Sequence, residues 1–143
     1  MRAARIAVLG FCAGFLAVLI FHQGVVLLMY GGGLVPNPPF PMRPVPPFGV
    51  PQVVSMAFWG GVWGILIAAI AAARPTWPAV LVGLAVGAIG CVLVGFTVVA
   101  ALRGQPLFGG MDPARWWRSV VINGAFGLGA GLIFDALRRI GRV

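Results

Sequence analysis

The chain contains no lysine and no glutamate, and its acidic inventory is two aspartates, Asp112 and Asp135. These two stand at opposite ends of one predicted helix, so they cannot act as a catalytic pair. The missing lysine excludes a phosphate-cradling loop of the kind that needs one. A single histidine, His22, without an acidic cluster leaves no ordinary metal-ligand set. Cys12 and Cys91 are the only cysteines, and each lies inside an apolar run. They read as small buried hydrophobes, not as a disulfide framework. No nucleophile is paired with a base, and we expect no enzymatic activity.

Charge is scarce throughout. Charged residues make up 8% of the 143 positions, hydrophobic ones 61%, and the mean hydropathy is +1.05. A soluble domain carries roughly a quarter charged residues. So little charge cannot cover a water-facing surface, and lipid is the natural solvent. The basic residues are ten arginines, giving a net charge of +8. They lie between apolar runs and at the chain ends, without a basic stripe interleaved with aromatics. Topology and lipid phosphate account for that placement, and nucleic acid does not.

What the chain has is apolar length. Residues 6–29 are nearly unbroken apolar sequence, enough to cross a hydrocarbon core of ~30 Å at ~1.5 Å per residue. The run exceeds the apolar core of a signal peptide and is followed by no convincing small-x-small cleavage site, so a retained span is expected. Residues 52–73 and 79–102 form two further spans, joined by a tight turn in which Trp77 suits the headgroup level. Asp112-Pro113 opens a fourth helix, with Asp capping and Pro in the first helical position. Its membrane part is expected at residues 119–137, preceded by an interfacial turn carrying Arg115, Trp116, Trp117 and Arg118. The fold class is all-α: a single transmembrane domain over residues 1–143, a bundle of four transmembrane helices running up-down-up-down.

Between the first two spans lies a proline-rich loop, residues 30–51. Gly31, Gly32 and Gly33 end the helix. Eight prolines from Pro36 to Pro51 then exclude helix and favour extended polyproline geometry. Phe40, Met42, Val45 and Phe48 offer apolar faces for a rigid cap over the helix ends. Arg43 is free to meet lipid phosphate or Asp112, and Asp135 is expected to pair with Arg138 or Arg139. Arg2, Arg5, Arg74, Arg138, Arg139 and Arg142 fall on one side, and Arg43, Arg103, Arg115 and Arg118 on the other. That bias places both termini in the cytoplasm of a bacterial inner membrane, with the proline loop outside. Phe48-Gly49 and Phe108-Gly109, each followed by a proline, hint at a two-hairpin repeat, but two points of likeness do not establish one.

Each span carries two glycines four residues apart: Gly10/Gly14, Gly60/Gly64, Gly83/Gly87 and Gly127/Gly131. That spacing clears one helix face for close approach, inside this bundle or against other subunits. Asn123 continues the last pair, joined by Val120 and Phe134, and is expected to act as interhelical glue. His22 and Gln23 are polar inside the first span; a straight helical wheel points them apart, with His22 bonded to a loop carbonyl. Trp59 and Trp63 stand one turn apart on the second span. Counting depth at ~1.5 Å per residue puts His22, Trp59 and Asn123 at a common level. With Trp63 they could wall a small pocket for a lipid, a quinone or a carotenoid-like ligand.

The stretches FHQG, PNPPF, PVPPFGVP and FWGGVWG resemble uncharacterised small bacterial integral membrane proteins. The resemblance covers the first half of the chain and implies no activity. It implies only that His22, Gln23, the loop prolines and Trp59-Gly60-Gly61 act as a unit. Taken together, the sequence is expected to encode a non-enzymatic accessory subunit of a larger membrane complex, partnered by lipids and by other subunits or its own copies. The rival expectations are a small oligomeric transporter or channel, and a carrier of lipid, quinone or pigment.

Overall fold

The structure, a computed structural model, describes residues 2–140; Arg142, counted above with the terminal arginines, lies outside them. Four helices are long and apolar enough to cross a membrane: α1 (Ala3–Gly31), α2 (Gln52–Ala73), α3 (Ala79–Leu102) and α4 (Pro113–Ile140). Two of them are not uniform. A π-helical turn occupies Val18–His22 of α1, and α3 carries two, Val86–Cys91 and Gly95–Val99.

Each helix end has a local cause. After α1, Gly33 takes a left-handed conformation (φ 69°), and Leu34 N–H returns to the Met29 carbonyl at 2.8 Å. That closure satisfies a terminal carbonyl and needs a residue without a Cβ. The first amides of α2 are held by the preceding loop: Gln52 N–H donates to Arg43 O at 2.9 Å and Val53 N–H to Pro41 O at 3.0 Å. At α4, the Asp112 carboxylate accepts from Ala114 N–H at 2.9 Å, the cap its sequence position announces. Asp112→Ala is expected to cost about 1 kcal/mol, readable as a small fall in melting temperature in detergent. At the far end Asp135 meets Arg138 at 2.6 Å, an ion contact without the alignment of a good hydrogen bond.

The helices pack in the order α2–α1–α4–α3, with α2 and α3 lightly joined to close the ring. Two antiparallel hairpins result. In α1–α2, a Cβ built on Gly14 would fall on the Gly60 carbonyl, and one on Gly10 would lie 2.7 Å from the Gly64 carbonyl. In α3–α4, Gly83 abuts the Gly127 carbonyl, Gly87 the Asn123 carbonyl, and Gly131 the Ala79 carbonyl. Backbone therefore touches backbone at both seams, and dispersion contact replaces the side chains that glycine lacks. The hairpins meet through α1 and α4, where Phe21 covers Gly129 and Val18 and Phe126 both press on Gly60.

The core is small-residue rich, with Ala17, Ala57, Ala130 and Ile67 fully buried. Large apolar side chains point outward instead, among them Leu28 (76% exposed) and Leu102 (83%). Cys12 is exposed on that outer surface, contrary to its expected burial, because the α1 face it shares is turned away from the neighbouring helices.

The loop between α1 and α2 departs from the extended polyproline expectation. Pro44–Val45 (β1) pairs antiparallel with Val50–Pro51 (β2), and Gly49, at φ 67°, donates its N–H to Val45 O. Proline lacks an amide donor, but a two-residue pairing at the edge needs few. The hairpin does not turn its apolar groups inward: Phe48 is 87% exposed and Met42 66%.

Candidate functional site

The polar residues of the apolar helices divide into two groups, one under each loop. The first is built on Gln23, which is 1% exposed. Its Oε1 accepts the Phe40 N–H at 2.6 Å, tying the proline loop to α1. A backbone amide can only donate, so this bond fixes which end of the Gln23 amide faces the loop. Nε2 then faces His22 and lies 3.3 Å from Nδ1. Nδ1 accepts in that pairing, which places the ring proton on Nε2. The expected divergence of His22 and Gln23 is thus overturned. The π-helical turn that ends at His22 unwinds the wheel locally, and the long Gln23 side chain reaches back. His22 is bonded to the Gln23 amide in place of a loop carbonyl.

Phe40 is itself left-handed (φ 55°). A residue with a Cβ is strained there by about 1–3 kcal/mol, and the Gln23 acceptor holds it. Arg43, expected near Asp112 or lipid phosphate, has its guanidinium 3.4 Å from Gln52 Oε1, a long contact. Asp112 is instead beside Arg115, at 3.7 Å on the same helix turn. A neighbour three residues away costs less ordering than one on another loop.

The second group lies under the turn between α3 and α4. Asn123 Nδ2 donates to Ser119 O at 2.9 Å and approaches Ser119 Oγ at 3.3 Å. The asparagine amide is therefore committed to its own helix, and the glue role across helices falls to the Asn123 backbone carbonyl against Gly87. Asn123 also lines a cleft of about 270 Å³ between α3 and α4. The turn above it is pinned by Trp116: its indole N–H donates to Phe108 O at 2.8 Å, and its ring lies 4.9 Å from that of Phe96. Residues 108–111 beside it all have positive φ, including Phe108 and Met111.

The expected four-residue pocket is not assembled. His22 is engaged with Gln23, and Asn123 lines a cleft to which His22, Trp59 and Trp63 contribute nothing. Trp63 packs toward α3, where a Cβ on Gly90 would lie 3.5 Å from its ring. Trp59 points out of the bundle, 59% exposed. Equal depth placed these residues on one level, but depth says nothing of azimuth. Val120 also leaves the Asn123 face, at 38% exposed, whereas Phe134 is buried.

Sequence reasoning passed over three features. Gln23 as the loop anchor had a signal, since amides inside an apolar span seek partners. Ser119 stands four residues before Asn123, the spacing of facing positions. Trp116, expected only as an interfacial residue, also holds a turn; its neighbour Trp117 is the more exposed of the pair.

No group of three or more metal-ligating side chains occurs among the described residues. No family model, curated protein or solved structure matches the chain.

Proposed function

We propose that the chain is a non-enzymatic, multi-pass protein of a bacterial inner membrane that serves as an accessory subunit docked on a larger membrane complex. Both termini lie in the cytoplasm on this reading, in keeping with the arginine bias. An exterior of large apolar side chains over a core of alanine and glycine suits a lipid solvent.

The observation that carries the subunit role is an outward aromatic ridge. Phe58 and Trp59 form it, backed by Phe11, whose ring lies over Gly61; Phe11 and Phe58 ring centroids are 5.9 Å apart at 69°, and those of Phe58 and Trp59 5.6 Å at 82°. Edge-on contacts of this kind stabilise by about 0.5–1.5 kcal/mol and hold the rings in place. A pre-ordered surface loses little freedom on docking. The Trp59 indole N–H has no acceptor among the described residues, and a partner backbone or hydroxyl would provide one. The glycine seams are occupied within the chain, so the ridge, rather than glycine, is the contact surface of this reading. The oligomeric transporter has less support, since Gln23 holds a loop and Asn123 holds its own helix.

Purification in mild detergent at natural expression level, followed by mass spectrometry, tests the role. A stoichiometric set of other membrane proteins is expected. Trp59→Ala should reduce their recovery about thirtyfold, as loss of an interfacial hot spot of ~2 kcal/mol does, with only the small fall in melting temperature that loss of the Phe58 contact brings. A lone chain carrying only lipid would overturn the subunit role.

A further inference from the structure

We propose that the cleft between α3 and α4 is a binding site for one anionic glycerophospholipid. The inference rests on the membrane reading above but not on the subunit role. Arg103 and Arg115 stand at the mouth of the cleft, Phe96 and Val99 form an apolar wall, and Ser119 and Asn123 line the α4 side. Arg115 lies at the outer end of α4 and the Ser119 hydroxyl one turn deeper on the same helix, the order of a phosphate and the ester below it, with the apolar wall beside the arginines.

The charges at the mouth leave an excess of cation. Asp112 is 3.7 Å from Arg115, and both are substantially exposed. Arg103 has no carboxylate partner among the described residues. A guanidinium matches a phosphate through two parallel N–H donors, which an ammonium does not. Asp112 occupies part of Arg115, so Arg103 carries the larger share of the phosphate contact.

The α4 side supplies a donor of the right kind. Asn123 Nδ2 approaches Ser119 Oγ at 3.3 Å, so the hydroxyl serves as acceptor there. Its own hydrogen has no acceptor among the described residues. A hydroxyl facing a cleft with a free hydrogen suits an ester carbonyl, which only accepts. Asn123 is thus a positioning residue, and Ser119 makes the lipid contact. The apolar wall follows the π-helical turn Gly95–Val99 of α3. Such turns recur at functional sites because they break the regular surface of a helix. The left-handed residues at 108–111, strained at Phe108 and Met111 and with Gly109 lining the cleft, fix the turn over the mouth.

The test uses the full chain in nanodiscs of equimolar phosphatidylglycerol and phosphatidylcholine, then native mass spectrometry of the released protein. Failure to enter the nanodisc would sink the membrane reading itself. Given entry, one retained phosphatidylglycerol in preference to phosphatidylcholine is expected. Each arginine near a membrane surface is worth about fivefold in anionic-lipid affinity. Arg103→Gln should lower the preference by about that factor, and Arg103→Gln with Arg115→Gln by more, though by less than about thirtyfold, because Asp112 already occupies part of Arg115. Arg74→Gln, on the opposite end of the bundle, should leave it unchanged. Ser119→Ala should weaken both lipids alike, because both carry the ester. Inorganic phosphate added in excess should not displace the adduct, since the wall holds hydrocarbon; displacement would assign the site to free phosphate and overturn the lipid. Equal retention of the two lipids by the unaltered chain would overturn the proposal without any variant, as would equal loss on Arg74→Gln and Arg103→Gln.

Discussion

Gly14→Leu and Gly127→Leu are each expected to destroy the native packing of one helical hairpin. At both positions the first added carbon would fall on a carbonyl of the facing helix, Gly60 for Gly14 and Gly83 for Gly127. Overpacking against side chains costs about 1–3 kcal/mol because rotamers give way. Here the obstacle is backbone, which yields only if the helices separate. Separation would also lose the contacts along each seam, where Gly64 and Gly87 lie against the same two glycines. A loss of at least ~3 kcal/mol follows, or roughly 10 °C in melting temperature. Gly24→Ala is the control. A Cβ there meets nothing within 4 Å. Alanine in place of helical glycine should then be neutral or stabilise by up to about 1 kcal/mol. Thermal unfolding in detergent, followed by circular dichroism, separates the three. Equal melting of Gly14→Leu and the unaltered chain would mean that α1 and α2 do not meet there. The two leucine variants should also differ in where they open, exposing the α1–α2 or the α3–α4 seam to hydrogen exchange.

The difference between these glycines marks how far the sequence could be read. Four apolar stretches, each bounded by glycine or proline, were enough to recognise an all-helical chain with four helices of membrane-crossing length. Spacing at four residues marked Gly10/Gly14 as a face, but nothing in one helix says what meets a face. That depends on the antiparallel register, in which Gly10 comes opposite Gly64 and Gly14 opposite Gly60. Prolines excluded helix from residues 34–51, yet the pairing of Val45 with Val50 across a tight turn is a local geometry that no single proline encodes. The candidate site was less legible still. The wheel that set His22 and Gln23 apart assumes a regular helix, and the π-helical turn at Val18–His22 has no compositional mark. The depth count that joined His22, Trp59 and Asn123 was one-dimensional, and azimuth separated them. The Ser119–Asn123 pair could be seen at its spacing, but the cleft beside it arises from the geometry of α3.

Gln23→Met is expected to release the proline loop while leaving the four helices folded. Methionine keeps the length and apolar stem of glutamine, so the buried position stays filled. What disappears is the acceptor for the Phe40 N–H, whose bond to Oε1 measures 2.6 Å. An unpaired buried donor costs about 1–3 kcal/mol. The left-handed strain at Phe40, no longer opposed, adds a reason for the segment to relax (φ 55°). The amide of Phe40 should therefore exchange with solvent about 10- to 100-fold faster, and those of Gln52 and Val53 should follow, because loop carbonyls of Arg43 and Pro41 cap them. His22→Ala separates the anchor from its neighbour. It removes the partner of Nε2 but leaves Oε1 and Phe40 joined, so protection of the Phe40 amide should persist. If Gln23→Met leaves Phe40 exchange unchanged, the loop is held by its own hairpin and by the α2 cap alone. If His22→Ala releases the loop as fully as Gln23→Met, the two side chains work as one latch, with His22 needed to aim the Gln23 amide. The melting temperature of the bundle should move little in either variant, because both glycine seams lie away from the loop contact.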